Sequence, residues 1–245
     1  MIPPKPSRST MILFWLLAFS ALTLSAWEQI FNNPSPFAAA IRLIVAAVAA
    51  AAVIGLGVWL SGRTGLGISG LASAGAGEGR AFASRSWFRA AMVVGVGIGG
   101  LGLLAMKTVF LSGNSAWRDA WVKEGAWPFW RRLALCYEAG VLEEILFRLV
   151  LLSLYVWAFS AIRKTARVRP AVFWAANALA AVLFGLAHLA KPFPLAPVEM
   201  AGVLVINGAG AAAFGYLFWK KGLASAILAH MTADLVVRAL GHFLV

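Results

Sequence analysis

A single cysteine, Cys136, is the whole thiol content of this 245-residue chain, so an intrachain disulfide, a CxxC pair and a Cys-rich metal cluster are all excluded. Acidic residues are scarce as well: nine Asp and Glu face twenty-one Lys and Arg, for a net charge of +12. Charged residues of both signs make up only 12% of the chain, and the His-Glu-x-x-His spacing of zinc peptidases does not occur. What fills the chain is apolar: 62% of residues are hydrophobic and the mean hydropathy is +0.84. A soluble domain of this size has no interior large enough to hide that much apolar surface. The apolar runs are too long and too unalternating for barrel strands. The expected fold is therefore all-α, a polytopic transmembrane helical bundle of about seven spans. The positive charge falls mostly in the loops between apolar runs, which is the pattern of membrane topology and anionic-lipid contact, not of a nucleic-acid partner.

Seven runs are expected to cross the bilayer: 11–27, 37–60, 90–111, 133–161, 171–190, 198–219 and 223–245. The first resembles a signal peptide in its basic start at Lys5 and Arg8. Its best cleavage site, Leu24-Ser25-Ala26, has a bulky residue where a small one is needed, so it reads as a retained span. Arg42 and Lys107, near the ends of the second and third runs, are placed to snorkel to the interface. Residues 61–87 are Gly-rich, carry Arg63, Arg80 and Arg85, and read as a flexible loop. Gly95 and Gly99 have the Gly-x-x-x-Gly spacing of close-packed membrane helices, read as packing within this chain ahead of dimerisation; nothing in the residues assigns an oligomeric state. Residues 116–132 interleave Trp117, Trp121, Trp127 and Trp130 with charges and suit a segment anchored in the headgroup region, with substrate gating as the second reading. The Lys and Arg bias among the loops favours an amino terminus inside.

The chemistry concentrates in the second half. Leu142-Glu143-Glu144-Ile145-Leu146-Phe147-Arg148 puts two carboxylates and a guanidinium inside an apolar run, at a cost of roughly 2.5–3.5 kcal/mol each on insertion scales. Glu144 and Arg148 are four apart, on one helical face, and can pair; Glu143 is rotated about 100° away and has no local partner. A carboxylate free to face a cavity beside a buried ion pair suits a general base that activates water. Phe184 lies one turn before His188, and His230 one turn before Asp234. If these faces converge, a base, two imidazoles and a further carboxyl meet, a set able to activate water and stabilise an oxyanion.

In order, Glu-Glu-x-x-x-Arg, Phe-x-x-x-His and His-x-x-x-Asp resemble the signature of the CPBP family of intramembrane proteases, which includes the type II CAAX prenyl endopeptidases and bacteriocin-processing and immunity proteins. The resemblance covers Glu143 to Asp234, within an expected catalytic core of 113–245 that follows amino-terminal spans and the Gly-rich loop at 1–112. It implies a glutamic-type, metal-independent endopeptidase with no cofactor, zinc being the less favoured alternative. Glu143 would activate water, Glu144, Arg148 and Phe184 would support it, and His188, His230 and Asp234 would hold water or the oxyanion. The eukaryotic CAAX enzymes carry Asn at the last position; an ionised Asp234 cannot donate a hydrogen bond, so it must be protonated or orient His230. The partners implied are the bilayer and a membrane-anchored protein or peptide substrate, and the Ala-, Gly- and Arg-rich composition suggests a bacterial inner membrane. The rival readings are a non-catalytic immunity or partner protein of the same fold, and a proton-coupled carrier. The carrier reading is weakened because the halves share no internal repeat.

Overall fold

Runs of Ala, Val, Leu and Phe in a bilayer must satisfy every backbone N–H and C=O internally, and the described residues are almost all helical. The computed structural model describes residues 16–21, 36–67, 85–162, 168–191 and 193–244. The helices are α1 (Pro36–Thr64), α2 (Ser86–Gly113), α3 (Ser115–Gly125), α4 (Phe129–Ile162), α5 (Pro170–Ala187), α6 (Pro197–Lys221) and α7 (Leu223–Leu244). All but α3 are long and apolar enough to cross a membrane, six among the described residues. The expected first span contributes only the helical residues 16–21; the rest of it lies outside the described residues, as do 68–84 of the Gly-rich loop and 163–167 of the basic loop.

The helix ends follow local chemistry. Pro170 and Pro197 sit in the first turns of α5 and α6, where a missing N–H costs nothing. Glu199 folds back on the start of α6, accepting from the Ala196 N–H at 2.7 Å and from Asn114 at 3.0 Å. α6 and α7 are joined by Gly222 alone, whose φ of 93° few other residues tolerate. The start of the expected loose loop is instead tied down. Gly67, at φ 80°, accepts the Leu223 N–H and lies so close to Phe218 that a Cβ would overlap the ring.

Among the described spans α7 is the most buried, with half of its apolar window covered, against 22% for α1 and α2. α2 runs along α7 with almost no separation. A Cβ on Gly95 would strike the Ala229 carbonyl, and one on Gly99 would press on Ala233 and Val236. The glycine pair thus packs within the chain, as its spacing predicts. Gly140 allows the same approach of α4 to Met231 on α7, and Gly185 that of α5 to Leu204 on α6. The core between them is built on Val141, Leu149, Leu152 and Val156 of α4 against Phe173, Phe214, Phe218 and Ala229.

Among the described residues, three helices contain widened π-helical stretches: Met106–Phe110 in α2, Ile145–Leu152 in α4 and Leu235–Leu240 in α7. The last two begin directly after Glu144 and after Asp234. Such stretches are rare and shift the side-chain register, which re-aims the residues that follow.

Candidate active site

Residues Glu143, His188, His230 and Asp234, drawn from α4, the end of α5, and α7, line one cavity of about 380 Å³. Phe184 and Phe214 share the same wall. The sequence places His188 inside a span; in the structure it is the residue that ends α5, and its Nδ1 lies 2.8 Å from the Phe184 carbonyl. A carbonyl only accepts, so Nδ1 carries the proton and Nε2 is directed into the cavity.

Behind the cavity the expected pair of Glu144 and Arg148 forms with Nε 3.0 Å from Oε2, both side chains almost wholly buried. Arg148 is fixed further by the Ala211 carbonyl at 3.3 Å and by the faces of Phe184 and Phe214, 4.9 and 5.7 Å from its guanidinium carbon. The second carboxylate oxygen of Glu144 does something that spacing along one helix does not reveal. It accepts from His230 Nδ1 at 2.8 Å, linking α4 to α7. Phe214 stacks on the His230 ring at 5.1 Å, so the imidazole is held by its edge and its face.

Both histidines therefore turn Nε2 toward Glu143. Its Oε2 lies 3.8 Å from His188 Nε2 and 3.9 Å from His230 Nε2, and it has no hydrogen bond among the described residues. These separations exceed a direct hydrogen bond, and Oε2 itself has almost no accessible surface. Glu143 keeps about a third of its side chain accessible while Glu144 has none. The adjacent carboxylates thus divide into one facing the cavity and one built into the scaffold.

Asp234 does not reach the Nδ1 of His230, which Glu144 takes. It turns to Arg238, one turn on in α7, with Oδ2 3.8 Å from Nε, and Glu144 is what orients His230. Arg238 in turn donates to both carboxylate oxygens of Glu124 on α3 at 3.2 Å. The amphipathic helix α3 covers the cavity: Trp117 packs on Phe110 and Phe193, and Trp121 lies on His242 with ring centres 3.8 Å apart. Two of the four tryptophans expected at the headgroups therefore face the protein, while Trp130 stays largely exposed. Lys191, on the turn after His188, completes the wall, and burial together with nearby Arg238 holds its ammonium below the usual lysine value. Residues 98–110 of α2, assigned by sequence to the amino-terminal unit, supply Ile98, Gly99, Met106 and Phe110 to the same cavity.

A family model described as type II CAAX prenyl endopeptidase Rce1-like matches this chain over residues 125–236. That stretch is similar to an Rce1-like domain. It contains every residue of the constellation, from Glu143 to Asp234, and begins at the end of α3. The chain is thus an integral, multi-pass membrane protein with a stretch similar to a peptidase family. No curated protein and no solved structure matches it. Among the described residues, no group of three His, Cys, Asp or Glu side chains is arranged to hold a metal ion.

Proposed function

We propose that the Rce1-like domain is an intramembrane endopeptidase of the glutamic type, hydrolysing a peptide bond of a membrane-anchored protein or peptide in a bacterial inner membrane. The observation that carries the reading is the position of Glu143 Oε2 between two inward-turned imidazole nitrogens. A water hydrogen-bonded to Glu143 and to His188 Nε2 gives its proton to the carboxylate and attacks the scissile carbonyl carbon. His230, when protonated at both nitrogens, keeps Nδ1–H on Glu144 and offers Nε2–H to the oxyanion. Glu143 then returns its proton to the departing amine, which restores the carboxylate and releases both fragments. Asp234, as a carboxylate paired with Arg238, has no hydrogen to donate, so the oxyanion falls to His230.

The test compares new peptide termini, by mass spectrometry, in membranes from cells producing the wild-type chain or Glu143→Gln at equal abundance. Termini that resist a chelator and vanish in the variant support the reading, with an expected loss of about 10²–10⁴-fold in rate. No difference between the two folded proteins would transfer the chain to a non-catalytic partner or immunity role. Loss of the termini on chelation would refute the metal-free mechanism.

A further inference from the structure

Two cations line the cavity, and their situations differ. Arg238 is engaged by Glu124 through both carboxylate oxygens and lies beside Asp234. Lys191 forms no ion pair within 4 Å among the described residues; its ammonium rests 5.4 Å from the centre of the Trp117 ring. Glu143 and Glu124 act on it only through space. An ammonium half withdrawn from water, mounted on an aromatic face and without a carboxylate of its own, gains most from an arriving anion. The other charges in the wall limit which anion fits. Glu143, Glu124 and Asp234 are already there, so a multiply charged group such as a phosphate is repelled, whereas a single planar carboxylate brings one compensating charge. Lys191 is three residues from His188, a chain reach of at most about 11 Å, so such a carboxylate would lie a few residues from the bond being cut.

We infer that Lys191 is a specificity-determining residue of this cavity and binds a carboxylate of the substrate, either the chain terminus or an Asp or Glu side chain. The inference rests on the peptidase reading, and the experiment separates the two. Purified full-length Glu143→Gln protein in detergent, which cannot turn the probe over, is immobilised and offered three pools of acylated, dye-labelled random pentapeptides. One pool ends in a free carboxylate, one in a carboxamide, and one in a carboxamide with a fixed internal Glu. Preferential retention of the first pool, by about fivefold to tenfold over the plain amide, assigns the chain terminus; preferential retention of the third assigns an acidic side chain. Adding Lys191→Met should abolish the preference, and Lys191→Arg should keep most of it. Equal retention of all pools, or a preference that survives Lys191→Met in a protein that still unfolds cooperatively, overturns the inference. Failure of the wild-type chain to cleave any retained peptide would count against the peptidase reading and leave the retention ratio standing.

Discussion

Glu144 serves two partners, and removing it alone or together with Arg148 separates what it does for the fold from what it does for the site. In Glu144→Leu, Arg148 stays fully buried with one carbonyl at 3.3 Å and two aromatic faces as its remaining company. Breaking a buried pair from one side costs about 3–5 kcal/mol, a large share of a stability of roughly 5–15 kcal/mol. The double variant Glu144→Leu, Arg148→Met removes both charges and lets a flexible thioether fill the space between Phe184 and Phe214. Replacing a buried pair by apolar groups is neutral or stabilising by about 1–4 kcal/mol, so the double variant should regain most of the thermal midpoint that the single one loses. Activity should not return with it. His230 Nδ1 has then lost its acceptor, and a misplaced catalytic imidazole costs on the order of 10²-fold, about 2.7 kcal/mol of barrier. The assay pairs the thermal midpoint of purified protein in detergent with the cleavage rate per folded molecule on a peptide carrying the termini found with the wild type. A double variant as active as wild type per folded molecule would refute the orienting role of Glu144. One as unstable as the single variant would refute the treatment of the pair as a buried charge left uncompensated.

Further outcomes follow from the packing and the cavity wall. Gly95→Val must push against the Ala229 carbonyl and Thr232, whereas nothing lies within 4 Å of a Cβ on Gly97; size-exclusion chromatography should therefore show collapse of the monodisperse fraction for the first and a normal profile for Gly97→Val. Arg238→Leu frees α3 from α7, so tryptic cleavage at Lys123 and Arg118 should accelerate in detergent, while the partly exposed pair itself contributes no more than about 1 kcal/mol to stability. Lys191 has a folded pKa below its unfolded value of about 10.4, so the unfolded chain binds the extra proton and stability rises with pH between the two values. The wild-type midpoint should thus gain on Lys191→Met as pH climbs through that window, and a constant difference between the two curves would count against a strained ammonium.

The helices and the divided roles of the two glutamates are legible in the chain because each rests on a short-range rule. Apolar run length fixes the spans, and a four-residue interval fixes the pairing of Glu144 with Arg148, found at 3.0 Å. The convergence of Glu143, His188 and His230 on one cavity is signalled only by the order of the motifs, since periodicity within one helix says nothing about which faces of three helices meet. The cross-helix bond from His230 to Glu144 has no local signal at all, which is why Glu144 reads in sequence as the partner of Arg148 and a support for Glu143, not as the residue that orients His230. Asp234 was open to better reading: Arg238 stands four residues on, the same interval that exposes Glu144 and Arg148, and it turns the last carboxylate of the motif into one link of a chain through Arg238 to Glu124. That link changes how α3 should be regarded. Four tryptophans beside charges describe a headgroup anchor when the helix is considered alone, but a helix whose Trp117 touches Phe110 and Phe193 and whose Glu124 holds Arg238 is part of the cavity wall. A division at residue 112 between amino-terminal spans and an expected core places α2 apart from α7, the helix it packs along. The glycines of α2 are small because α7 lies against them, and α7 carries His230.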